Sequence, residues 1–182
     1  MGLEQGAVPN GPSGERWGYL WLNERLVNWE MARQGMANRL AQAPNTQYDG
    51  YIQQAQQRAI QEALGIWRRA EDPAVRIRTI RPLSVGGIGR DLNAETVELL
   101  GLSAEEVDLS GYQLWDAARQ AYTFGAVTLV GGQQLVLHSG CGSPVPERLY
   151  WCQNVAVWDA RGDVAFLVDA TGQTIDFFVL GN

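Results

Sequence analysis

Apolar residues change their spacing partway along this chain. Before residue 68 they recur mainly at helical intervals: Tyr51, Ile52, Ala55, Ala59, Ile60, Ala63 and Leu64 put one apolar face on a helix over 48–64, stopped at Gly65. A shorter helix is expected over 26–35, with Leu26, Val27, Met31 and Ala32 apolar and Gly35 as its C-terminal stop. Ahead of it, Trp17, Tyr19 and Trp21 alternate with Gly18, Leu20 and Leu22, which suits one strand with an aromatic face, turned at Asn23-Glu24-Arg25. Residues 1–15, rich in Gly and Pro, read as a flexible lead-in.

From Val75 the pattern becomes that of short strands. They are expected at 75–80, 96–100, 112–115, 126–130, 134–138, 155–158, 164–168 and 174–179, with Ser110-Gly111, Gly131-Gly132, Arg161-Gly162-Asp163 and Thr171-Gly172 among the turn signals. Short strands at this spacing imply a sandwich or barrel. The charged stretch 68–74, which contains Pro73, is the expected linker between segments 16–67 and 75–182. The fold class is therefore α+β overall, with an all-β C-terminal part.

Composition narrows the picture. Hydrophobic residues make up 46% of the 182, with seven Trp, enough apolar area to exclude wholesale disorder. No stretch approaches the ~20 apolar residues of a membrane span, and the start lacks the basic and apolar regions of a secretory signal, so a soluble chain is expected. The net charge of −6 argues against a whole-protein attraction to nucleic acid. The acidic excess lies mainly after residue 72, where seven Arg face twelve acids. Lysine is absent, so every fixed cation is an arginine; bidentate anion binding and the codon bias of a GC-rich genome both produce that.

Candidate chemistry is sparse. Cys141 and Cys152 flank a Gly/Pro-containing loop and are expected as a disulfide, the alternative being two unpaired thiols; they are too few for a zinc site, and no metal site is expected. His138, Ser139 and Cys141 are close in sequence, but nothing specifies base, orienter and nucleophile, so structural roles are expected. Arg161-Gly162-Asp163 spells an adhesion tripeptide at a turn. The segment 86–90 is glycine-rich without the helix of a phosphate loop, and Glu105, Glu106 and Asp108 lack a calcium-loop pattern.

Two resemblances organise these observations. Residues 93–99, then Val107-Asp108-Leu109-Ser110-Gly111-Tyr112-Gln113-Leu114-Trp115-Asp116, resemble the opening of the lamin tail domain, with Tyr112 where that family usually has Trp. Phe124, the Gly131-Gly132 turn and the stretch from Trp158 to Asp169 continue the likeness. It implies an immunoglobulin-like sandwich serving as a binding module for protein or nucleic acid, often attached in bacteria to secreted or envelope hydrolases.

The first part resembles the C-terminal portion of staphylococcal-type thermonucleases, through Trp17-Gly18-Tyr19-Leu20-Trp21, Leu26-Val27-Asn28, Arg33-Gln34-Gly35-Met36-Ala37 and Ala63-Leu64-Gly65-Ile66-Trp67. That family has an OB fold and hydrolyses DNA and RNA with calcium. The metal-holding carboxylates belong to strands preceding this segment, so the segment is expected to be a mostly helical remnant of one strand and two helices. A family arginine aligns at Glu15, beside Arg16, the one candidate catalytic residue; the family's stacking tyrosines would fall near Ala41 to Ala43, where none occurs.

The expectation is thus a non-catalytic binding or tethering protein without cofactors. The alternative is a calcium-dependent thermonuclease-type phosphodiesterase whose catalytic strands lie upstream. Expected partners are nucleic acid, an envelope protein or a polysaccharide, with homo-oligomerisation through an open edge of the aromatic strand. The cysteine pair points to an extracytoplasmic or secreted bacterial protein, with any export signal upstream.

Overall fold

The computed structural model describes residues 2–4, 17–40, 45–83 and 91–181. The chain divides into two compact units, Met1–Arg68 and Arg69–Asn182.

In the first unit β1 (Gly2–Glu4), β2 (Tyr19–Leu22) and β3 (Arg25–Leu26) form an antiparallel sheet with β2 central. The turn between β2 and β3 holds Asn23 and Glu24 at positive φ, the primed geometry that suits a two-residue hairpin. The expected single strand is therefore three. β2 is flanked on both sides, which corrects the expectation of an open edge there: backbone pairing needs no apolar side chains, so composition concealed β1. Apart from β1, the expected lead-in lies outside the described residues.

Helices α1 (Val27–Arg33) and α2 (Asp49–Gln61) complete the unit, and Ala32, Ala55 and Ala59 are buried on them. Small side chains let helix backbones approach closely. Asn28 latches α1 to β2, its Oδ1 accepting the Leu20 N–H at 2.8 Å. Arg39 lies against Asp49, with Nη2 2.7 Å from Oδ2, and its backbone N–H donates to the buried Gln56.

The second unit is a sandwich. Its strands are β4 (Val75–Arg81), β5 (Thr96–Gly101), β6 (Val107–Asp108), β7 (Gln113–Trp115), β8 (Ala121–Thr123), β9 (Thr128–Leu129), β10 (Gln134–His138), β11 (Arg148–Tyr150), β12 (Asp163–Val168) and β13 (Thr174–Leu180). One sheet runs β11-β10-β5-β4, another β13-β12-β7-β8, and β6 pairs with β9. The core between the sheets contains Val75, Ile77, Ile80, Val97, Leu99, Leu114, Leu135, Leu137, Ala165 and Leu167, the inward half of each alternating pattern.

Several strand expectations need correction. Residues 155–158 are not a strand, because the Val157 and Trp158 N–H groups donate to the Glu95 carboxylate instead of to a neighbouring strand. The 126–130 strand shrinks to β9, and β6, β8 and β11 are two or three residues long, too short to show a period. The expected linker 68–74 is not free after Arg68: Arg69 Nε reaches Asp176 Oδ1 at 2.7 Å, Arg69 Nη2 donates to the Phe177 carbonyl, and the Ala70 N–H donates to the Ile175 carbonyl.

Candidate functional site

The outer face of the sheet β11-β10-β5-β4 follows from its register. Opposite residues form three rows: Arg81, Thr96, His138 and Tyr150; then Thr79, Glu98, Val136 and Arg148; then Arg76, Leu100 and Gln134. Strict alternation along β4 would point Ile80 outward and Arg81 into the core. A bulge between Ile77 and Thr79 absorbs Arg78 as an extra residue and resets the phase. Ile80 is thereby buried, while Arg76, Arg78 and Arg81 remain exposed.

The charge on this face is unbalanced. Glu98, whose side chain is 11% exposed, meets both Arg81 Nη2 at 3.0 Å and Arg78 Nη1 at 3.6 Å. Among the described residues, Arg76 and Arg148 have no carboxylate within ion-pair distance. Four of the seven arginines after residue 72 thus share one sheet face with a single acid. His138 and Tyr150, neighbours in the first row, stack with ring centroids 5.1 Å apart. His138 Nδ1 lies 2.6 Å from the Asn93 carbonyl, which fixes the ring plane.

Cys141 and Cys152 form a disulfide that closes the loop leading into β11. Asn93 braces the same loop, its Nδ2 donating to the Cys141 carbonyl. Beside it, Tyr122, Gly125, Gly142, Pro144 and Leu149 line a concavity of about 340 Å³. In the first unit, Trp17, Tyr19, Asn28, Arg39 and Asp49 help line another of about 320 Å³, where the Arg39 charge is already matched by Asp49.

The other sequence candidates have structural explanations. Ser139 is buried with its N–H on the Glu95 carbonyl, and Cys141 is in the disulfide, so neither is poised as a nucleophile beside His138. Asp108 accepts the Ser110 hydroxyl and N–H, which hold its carboxyl below the ordinary range. Asp163 of the Arg-Gly-Asp turn points inward, accepting the N–H groups of Ala117, Val164 and Asp159, and burial pushes its carboxyl up to about 6. Arg16, Glu15, residues 41–43 and the glycine-rich 86–90 lie outside the described residues.

Sequence reasoning missed the arginine face. Its signal was present in Arg76, Arg78 and Arg81, but their common direction depends on the bulge, and Arg148 joins them only through the parallel pairing of β11 with β10.

Comparison with known proteins gives the sandwich its class. The Lamin Tail Domain family model matches residues 70–181, and the chain belongs to that family. The preceding segment matches the Staphylococcal nuclease homologue model over residues 7–69. It is similar to the thermonuclease of Staphylococcus intermedius, 34% identical over 67 residues, or 37% of this chain and 40% of that protein. The chain thus spans less than half the length of the curated relative it matches.

Proposed function

We propose that this chain is a non-catalytic binding or tethering module, in which the lamin-tail sandwich carries the recognition surface and the nuclease-like segment accompanies it. The observation supporting this reading is the arginine face: four exposed cations around one acid, held on rigid strands. Rigid, preorganised guanidinium groups recognise anionic surfaces through paired N–H donors. Nucleic acid, an anionic polysaccharide and an acidic envelope protein all present such surfaces. The disulfide suits an extracytoplasmic, secreted setting, since such bonds persist where thiols are oxidised.

A second reading draws on the thermonuclease match: a calcium-dependent phosphodiesterase in which this segment completes a larger nuclease. Calcium takes six to eight oxygen ligands, several from carboxylates. Among the described residues no group of three or more His, Cys, Asp or Glu is placed to hold a metal, so on this second reading the calcium ligands come from the upstream strands.

The discriminating experiment incubates the purified chain with fluorescent single-stranded DNA, with calcium or with a chelator, beside an Arg16→Ala variant. The binding-module reading expects intact DNA in every tube. Calcium-dependent cleavage that disappears in the variant would overturn it.

A further inference from the structure

We propose that the outer face of the sheet β11-β10-β5-β4 is a track for the phosphodiester backbone of single-stranded nucleic acid. This rests on the binding-module reading and gives that module a ligand class.

The geometry has three parts. Neighbouring strands lie about 4.8 Å apart, so the four-stranded face is about 14 Å from β4 to β11. Arg76, Arg78 and Arg81 line one border and Arg148 stands on the other. Between them lie Leu100 and Val136, half-buried uncharged side chains on which sugars and bases can rest, together with the largely screened Glu98. The stacked rings of His138 and Tyr150, both half-buried, close one end of the strip as an aromatic boundary.

The arginines are arranged for phosphate rather than for each other. A guanidinium has five N–H donors, and Glu98 takes only part of the donor set of Arg78 and Arg81 while fixing where they stand. Arg76 and Arg148 face no described carboxylate within ion-pair distance. A single strand fits this face better than a duplex, because sequence contacts to B-form DNA need a helix or ribbon to enter a groove and this surface is an open sheet. The net charge of −6 also matters, since it disfavours approach of a polyanion elsewhere on the chain.

The test is fluorescence anisotropy of a labelled 20-nucleotide single-stranded DNA with the full chain, across a salt series. Arg76→Gln with Arg148→Gln removes the two cations that hold no described ion pair, and circular dichroism checks that the fold persists. Arg161→Gln is the control, since Arg161 is engaged by Asp159 in the 159–163 turn and belongs to none of these rows.

The double variant is expected to bind at least tenfold more weakly, with a salt slope shallower by about 1.4, at about 0.7 for each lost phosphate contact. The control is expected to match wild type. No binding by wild type, equal binding by the double variant, or equal weakening by Arg161→Gln overturns the proposal. Duplex DNA and a sulfated polysaccharide run in parallel. Binding only to the polysaccharide through the same arginines overturns the nucleic-acid assignment and keeps the module reading. Calcium-dependent shortening of the oligonucleotide sinks the module reading itself.

Discussion

Gly35 and Gly65 meet backbone to backbone. Both have positive φ, at 68° and 54°, and the Ile66 N–H donates to the Gly35 carbonyl at 2.9 Å. A Cβ on Gly65 would strike that carbonyl, and one on Gly35 would strike the carbonyl of Leu64. Two glycines 30 residues apart in sequence, each inside a segment that resembles the nucleases, are thus one structural joint. Gly35→Ala and Gly65→Ala are each expected to destabilise the first unit by about 1–3 kcal/mol, from left-handed strain alone. Faster hydrogen exchange at α1 and α2 amides would show it, and unchanged protection would refute it.

Glu95 substitutes for a missing strand partner. Its side chain is fully buried, and its two oxygens accept from Val157 at 2.8 Å and Trp158 at 3.3 Å. Glu95→Gln keeps one acceptor oxygen and turns an amide donor toward the other N–H, leaving a buried donor unsatisfied. The expected loss is about 1–3 kcal/mol, read from the urea midpoint at constant slope.

Asp163 makes stability depend on pH in an unusual direction. Its carboxyl is raised from 3.8 to about 6, by burial first, against three N–H groups that favour the ionised form, with the Asp116 charge adding to the rise. The native state therefore binds more protons than the unfolded chain between those values, so this contribution is full below about 4 and is lost as pH rises through about 6. Asp116, also raised by burial, acts in the same sense. The expected difference is at most about 3 kcal/mol. Denaturation midpoints measured from pH 4 to 7 should fall with rising pH in wild type and flatten in Asp163→Asn. A slope of opposite sign would refute the assignment.

Removing the disulfide as Cys141→Ser with Cys152→Ser is expected to cost about 3 kcal/mol, from the larger freedom of the unfolded loop. Thermal melting with and without reductant measures it, and wild type in reductant should approach the double variant.

Much of this fold was legible in the sequence where side chains report their surroundings. The inward positions of β4, β5 and β10 alternate in the sequence, β12 reads as one short apolar run, and the apolar face of α2 recurs at helical spacing. What escaped was held by backbone or by distant side chains. β11 pairs through main-chain groups after a loop containing Pro144 and Pro146, and the Val157 loop depends on a carboxylate 62 residues earlier. The arginine face escaped for the same reason: a bulge leaves no mark in the local pattern except the doublet Arg78-Thr79, where alternation would place an apolar residue second.

The contact between Asp176 and Ile77 has a further consequence. Asp176 Oδ2, carried on the neighbouring β13, accepts the Ile77 N–H at 2.9 Å, on the border of β4 to which no strand is ladder-paired. Unsatisfied N–H groups along such a border are what a second chain would dock onto in growing a fibril. Here a carboxylate already holds one of them, the bulge bends the strand, and three arginines crowd any approach. The β4 border is thereby guarded against addition of a second chain, a protection that would matter most where the proposed tethering held many copies side by side.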